Sequence, residues 1–298
     1  MFKIYRKKKE GEDFVIICNK SKYTKVEISL NKGASVSNLI FNNKKIITDL
    51  RKKPYEKTFA SSIMFPFANR VNFGKYHFLG KKYKLICNEK NKKNALHGLV
   101  YNKNFALINR SIKENSGEIS LSYKYDGDDL GFPFPFAVNL NYRLTKKKFS
   151  VILRITNIGN SVFPFTAGWH PYFEAKDLKK SIIKFNSLEK IESDNRNITT
   201  KIIKTKTPCP LILKNKTLDD AYILNKNEII YKTQDYLVKM SSSEKENYLQ
   251  LYTPKNKQAI AIEPMTGVSD SFNNGIGLKK LNPKEIYKIK WDLNIITK

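Results

Sequence analysis

Three cysteines, three histidines and seven arginines are all that this 298-residue chain holds of the residue types that most often carry chemistry. Cys18, Cys87 and Cys209 are odd in number and far apart, with no Cys-x-x-Cys pair and no histidine at metal-ligand spacing. That excludes a disulfide framework and the common zinc motifs, so the three read as reduced, partly buried thiols. No Gly-x-Ser-x-Gly, cysteine dyad or phosphate-cradling glycine loop occurs, so the usual nucleophile and nucleotide motifs are excluded as well. Long apolar runs are also missing. The one near the N-terminus, Phe14 to Cys18, is too short for a signal-peptide core or a membrane span, which leaves a cytoplasmic protein with no membrane partner as the expectation. No segment of any length has helical periodicity, and no internal repeat, low-complexity linker or shift of composition marks a boundary. A single domain over residues 1–298 is therefore expected.

Positive charge, by contrast, is abundant. The formal net charge of +28 raises nucleic acid as a partner, because Lys and Arg neutralise phosphates and release counterions. Of the 55 basic residues, however, only Arg6, Arg51, Arg70, Arg110, Arg143, Arg154 and Arg196 are arginine. The rest are lysine, the poorer choice for bidentate recognition. Short clusters such as Lys7 to Lys9, Lys146 to Lys148 and Lys179 to Lys180 are spread along the whole length, as on a solvated surface. No specific nucleic-acid partner is expected.

What the chain does contain favours strands. Hydrophobic residues make up 41% and aromatics 12%, with Tyr, Phe and β-branched residues frequent, a composition that suits pleated, half-buried surfaces. After a charged lead-in, strands are predicted at Phe14 to Cys18, Lys25 to Leu30, Val36 to Ile40 and Lys44 to Thr48. A hairpin follows over Lys75 to Leu85, turning at Leu79 to Lys82. Val138 to Leu144 alternates without a fault, with Val138, Leu140, Tyr142 and Leu144 on one face and Asn139, Asn141 and Arg143 on the other, and Phe149 to Thr156 reads as its antiparallel partner. Further strands are predicted at Phe105 to Asn109, Ile119 to Tyr125, Tyr248 to Tyr252, Ala259 to Glu263 and Ile286 to Ile296.

Against this background five positions stand out, each at the edge of a strand-like segment. His170 lies in Gly168-Trp169-His170-Pro171-Tyr172-Phe173, where Pro171 restricts it to extended geometry and the aromatic neighbours could wall a sugar. A packed aromatic turn around a hydrogen-bonded histidine is the other reading of that hexapeptide. Glu263 closes the apolar run Ala259 to Ile262 and is likewise held extended by Pro264. Arg70 stands inside an apolar stretch, where it either meets a ligand or forms an ion pair between strands. His97 adjoins Gly98, where a ligand could approach the backbone closely. Asp219 and Asp220 form an acidic island. Two histidines, carboxylates and an arginine make a set for acid/base work on a hydroxyl-rich molecule. His77, among lysines on a hairpin strand, reads as structural.

The sequence resembles the aldose 1-epimerase (galactose mutarotase) family from about Gly33 to Trp291. The resemblance is carried by Pro66-Phe67-Ala68-Asn69-Arg70-Val71 with Gly74 and Gly80; by Asn94 to Gly98; by Gly168 to Phe173; and by Glu263-Pro264-Met265-Thr266 with Asn273, Gly275, Gly277, Leu278, Leu281 and Pro283. It implies an all-β protein, a large antiparallel β-supersandwich of the galactose mutarotase kind. It also implies His170 as the general acid at a sugar ring oxygen and Glu263 as the general base at the anomeric hydroxyl. Arg70, His97 and Asp219, or Asp220 in its place, would hold hydroxyls. No cofactor or metal is implied. The partner would be a small-molecule sugar, bound by a monomer or homodimer. Phe105 and Leu99 depart from the family pattern, which has tryptophan and glycine there, and the sugar is left open. Three readings follow: interconversion of α and β anomers of a free aldose, the same reaction on a hexose 6-phosphate, and a sugar-binding relative without turnover.

Overall fold

Alternation of apolar and polar residues decides the architecture. In the computed structural model, which describes every residue except Lys52, Asn256 and Lys257, Val138, Leu140, Tyr142 and Leu144 are fully buried while Arg143, between them, is exposed. The same rule applies to Phe149, Val151, Leu153 and Ile155 on the next strand and to Ile289, Trp291 and Leu293 on the one after. These strands, Phe136–Thr145, Lys148–Asn157 and Ile286–Thr297, form the middle of a nine-stranded sheet. A thirteen-stranded sheet packs its apolar face against this one. All ladders between strands of the described residues are antiparallel, and the only α-helices among them are the single turns Tyr55–Thr58 and Ser271–Asn274. The expected antiparallel β-supersandwich is therefore what the chain forms. None of its described helices is long and apolar enough to cross a membrane.

One core cluster draws on both sheets. It includes Trp169, whose ring lies 6.2 Å from that of Trp291 and 6.4 Å from that of Phe149. These contacts remove large aromatic surfaces from water, worth about 2–3 kcal/mol per side chain.

The larger sheet supplies the framework for the polar positions. Its strands Tyr172–Glu174, Ala259–Met265, Asn247–Tyr252 and Asp219–Leu224 lie side by side. Residues that pair across a ladder share a face. Tyr172, Ala261, Tyr252 and Asp219 make one row, and Glu263, Gln250 and Ala221 make the next. Between these positions, Phe173, Ile260, Ile262, Leu249 and Leu251 point the other way into the core. The strand Ala-Ile-Ala-Ile-Glu thus alternates small residues and a carboxylate on one face with isoleucine on the other.

Several local expectations need correction. The charged lead-in is a full strand, Phe2–Lys9, paired with Glu12–Asn19 in continuous register from Phe2↔Asn19 to Lys9↔Glu12. Lysines crowd its outer half because it is an edge strand, where charge discourages pairing with other molecules. Glu263 does not end its strand, which continues to Met265. Of the thiols, Cys18 is buried, Cys87 intermediate and Cys209 exposed.

His97 and Gly98 are held by a close backbone approach. Gly98 has φ +79°, and a Cβ there would stand 2.2 Å from the Phe65 carbonyl oxygen and 2.6 Å from its nitrogen. Gly80, at φ +75°, has nothing within 4 Å of the same position. Gly80→Ala should therefore cost about 1 kcal/mol, the price of the left-handed backbone alone, whereas Gly98→Ala, which must displace backbone, should cost more than about 4 kcal/mol. Urea denaturation of the two variants checks the difference; equal losses would mean that the Phe65 contact gives way freely.

Candidate active site

Several strands and the loops between them bring the polar residues to one place. Leu96 pairs with Arg70 in a two-stranded ladder, and the His97 amide donates to the Asn69 carbonyl at 2.9 Å. His170 is fixed through its backbone, its N–H donating to Ser62 O at 3.1 Å and its carbonyl accepting from Ser61 N at 2.8 Å. Arg70, His97, His170, Asp219 and Glu263 all line one cavity of about 270 Å3, together with Phe59, Asn69, Tyr172, Asn197, Gln250 and Tyr252.

At its floor the Nε2 of His170 lies 3.3 Å from Oε1 of Glu263. Both residues are almost wholly buried, 5% and 2% exposed. Burial penalises the charged form of each. It lowers His170 to about 4 and raises Glu263 well above the ordinary carboxylate range, with the Asp219 charge adding to that rise and the Arg70 charge opposing it. For His170 the Arg70 charge acts in the same direction as burial. Both shifts favour the neutral forms, an imidazole beside a carboxylic acid. Glu263 Oε2 and the Nδ1 atoms of His170 and His97 are buried without a hydrogen-bond partner among the described residues. Buried atoms so placed are costly, and they cluster where a ligand can satisfy them. His97 stands edge-on to the His170 ring at 5.0 Å and to the Phe59 ring at 4.9 Å. Its pKa is lowered by burial first and by the His170 and Arg70 charges second.

Above the floor runs a chain of hydrogen bonds. Arg70 makes a two-pronged ion pair with Glu89, Nε to Oε2 at 2.9 Å and Nη2 to Oε1 at 2.8 Å, and its Nη1 donates to Asn69 Oδ1 at 3.0 Å. An ion pair therefore holds Arg70, with a residue outside the named strands rather than across two of them, and Arg70 lines the cavity with two of its five N–H groups uncommitted. Asn69 donates to Gln250 Oε1 at 3.4 Å, Gln250 donates to Asp219 Oδ1 at 2.9 Å, and Asn197 donates to Asp219 Oδ2 at 2.9 Å. Asp219 is thus the acidic residue at the cavity, while Asp220 forms an ion pair with Lys190 and is not part of its wall.

Sequence reading missed Glu89, Asn69, Gln250 and Asn197. Gln250 alone carried a signal, as a single amide inside the apolar strand Tyr248 to Tyr252. The aromatic walls also need correction. Tyr172 does line the cavity, its ring 5.0 Å from that of His170, but Trp169 and Phe173 point to the opposite face and fill the core. Among the described residues no group of three or more His, Cys, Asp or Glu side chains is arranged to share a metal ion.

Comparison with known proteins bears on the family and the fold. The sequence profile of the aldose 1-epimerase family matches residues 14–293. YihR of Escherichia coli K12 is 24% identical over 284 residues, which cover 88% of this chain and 87% of YihR. The bifunctional protein GAL10 of Kluyveromyces lactis is 21% identical over 197 residues, 62% of this chain but 28% of GAL10. Among solved structures, a galactose mutarotase-like protein from Clostridium acetobutylicum matches with a TM-score of 0.89 at 17% identity, covering 100% of this chain and 99% of that one. Galactose 1-epimerase from Lactobacillus acidophilus NCFM matches with a TM-score of 0.80 at 15% identity, covering 100% and 98%. The structural matches speak for the fold, and the profile, spanning nearly the whole sequence, speaks for descent: the chain belongs to the aldose 1-epimerase family.

Proposed function

We propose that the protein interconverts the α and β anomers of an aldose, with His170 and Glu263 moving the protons and Arg70, His97 and Asp219 holding hydroxyls. The observation that carries this reading is the buried His170–Glu263 contact of 3.3 Å at the floor of a polar cavity. A volume of about 270 Å3 lies just below the range of about 300–1,000 Å3 usual for small-molecule sites, which suits a single sugar ring.

The chemistry needs two proton transfers and no net change. Glu263, as carboxylate, takes the proton from the C1 hydroxyl. The C1–O1 bond becomes a carbonyl, the bond from C1 to the ring oxygen breaks, and His170 gives its proton to that oxygen. Rotation about C1–C2 presents the other carbonyl face, and the reverse transfers close the ring as the opposite anomer. One proton on the pair is enough for this cycle. It must sit on His170 at the moment of opening, and its passage from Glu263 spans the 3.3 Å contact. The positive charge of Arg70 favours the Glu263 carboxylate. A binding protein without turnover has no need of a paired donor and acceptor. Lys57 and Lys92 at the cavity wall are cations that a phosphate could meet, so mutarotation is best followed by polarimetry or NMR with α-glucose, α-galactose and glucose 6-phosphate in parallel.

With the sugar that turns over, Glu263→Gln and His170→Asn should each remove about 10²–10⁴ of the rate while binding largely survives. Because both act in one cycle, the double variant should be little slower than either single one. A single variant within about threefold of the wild type would remove that residue from the mechanism. Arg70→Lys should raise KM, since lysine cannot hold Glu89 with one fork and a hydroxyl with the remaining donors.

The pKa shifts give a pH dependence. Activity requires one proton on the pair, so kcat/KM should fall toward acid as His170 gains a second proton near its value of about 4. It should fall toward alkali as Glu263 loses its own, above the ordinary carboxylate range. An acid limb at an ordinary histidine value of about 6.5 would contradict the dominance of burial. Stability follows the same groups. Glu263 binds its proton more tightly folded than unfolded, so wild-type stability declines as pH rises through the raised pKa. Glutamine has no charge to bury, and the melting temperature of Glu263→Gln should gain on the wild type as pH rises above the ordinary carboxylate range.

A further inference from the structure

Arg196 spends four of its five guanidinium N–H groups on protein, yet it touches no carboxylate. Its Nε and Nη2 donate to Lys92 O at 3.0 and 2.8 Å, Nη1 to Asn72 Oδ1 at 2.7 Å, and Nη2 also to Asn94 Oδ1 at 2.5 Å. Its plane lies over the Phe73 ring with 3.6 Å from Cζ to the centroid. Phe73 is a non-glycine residue at φ 51° and 44% exposed. A bulky side chain in that backbone region is strained, and such strain persists where the surroundings hold it.

These contacts join three separate segments. The Arg196 carbonyl accepts in return from Asn94 Nδ2 at 3.1 Å, and the same Nδ2 donates to Glu89 Oε2 at 2.9 Å. Glu89 is the partner of Arg70. On the other side of Arg196 in the chain, Asn197 donates to Asp219, and its carbonyl accepts from Ser269 Oγ at 2.7 Å. The two arms that set the sugar-facing groups, Glu89 to Arg70 and Asn197 to Asp219, therefore meet at one guanidinium outside the cavity.

We propose that Arg196 is a positioning residue for the sugar site, fastening the Asn72–Phe73 turn, the Lys92–Asn94 loop and its own turn so that Arg70 and Asp219 are presented together. This rests on the reading of the cavity as a sugar site. Four of five guanidinium N–H groups are spent on neutral oxygens in a planar arrangement, which a lysine ammonium cannot reproduce. Because Arg196 contacts neither His170 nor Glu263, its loss acts on substrate affinity more than on the proton transfers.

The test compares Arg196→Ala and Arg196→Lys with the wild type, using the aldose that the wild type turns over best. Both variants should raise KM about tenfold or more with kcat within about threefold. Guanidinium ion added at millimolar concentration, against sodium at equal ionic strength, should restore much of the KM of Arg196→Ala but not of Arg196→Lys. A purely structural role would lower the melting temperature and the active fraction and leave KM unchanged, and that result overturns the proposal. Amide hydrogen exchange supplies a readout independent of turnover. Peptides covering residues 89–97 and 194–198 should both lose protection in Arg196→Ala and regain it with guanidinium. If the wild type turns over none of the three sugars, the functional reading fails while the exchange experiment still decides whether Arg196 fastens both arms. Unchanged protection in either peptide overturns the positioning role.

Discussion

A carboxyl group kept out of water beside a histidine is the constraint to which the rest of this structure answers. Glu263 sits on a strand inside a thirteen-stranded sheet, between neighbours whose opposite faces fill the sandwich core. A rigid, dry position of this kind is what lets burial, rather than nearby charge, set the protonation of the pair. The same position would be unfavourable in a protein built for stability alone, because an ionisable group there opposes folding over part of the pH range. The large core, locked by aromatic contacts between the sheets, offsets that cost.

Register explains how so few residues suffice. Gln250 lies directly across the ladder from Glu263, and Tyr252 across from both Ala261 and Asp219. A slip of one residue by the Glu263 strand would turn Glu263 into the core and bring Ile262 or Pro264 to the cavity. The alternation of alanine and isoleucine before Glu263 guards against this: isoleucine seeks the sheet interface, and alanine leaves room for a ligand on the other side. Catalytic geometry and core packing are two faces of the same strand.

How much was legible in the sequence follows from these faces. Strands with strict alternation, such as Val138 to Leu144, could be read directly because one face is solvated. The five prominent residues could be read from local contrast: Arg70, His170 and Glu263 from apolar or proline-constrained settings, His97 from its adjoining glycine, and Asp219 from an acidic island. Glu89 could not, since it stands among lysines and asparagines in what reads as a solvated loop, and only the folded chain brings it to Arg70 across 19 residues. Phe2–Lys9 escaped notice because an edge strand need bury only part of its length. Trp169 and Phe173 were misplaced for a related reason. In a short aromatic segment interrupted by Pro171 the period of two cannot be phased from sequence, so which ring meets the cavity and which the core is decided by neighbouring strands.

The pairing of the two tryptophans has an optical consequence. Trp169 and Trp291 are the only indoles in the chain, both are fully buried, and they come from different sheets. Neither borders the cavity of His170 and Glu263, although Trp169 precedes His170 directly in the chain. Intrinsic emission therefore originates in the seam of the sandwich. It records whether the two sheets are closed upon each other and is blind to what occupies the cavity on the far side of the strand.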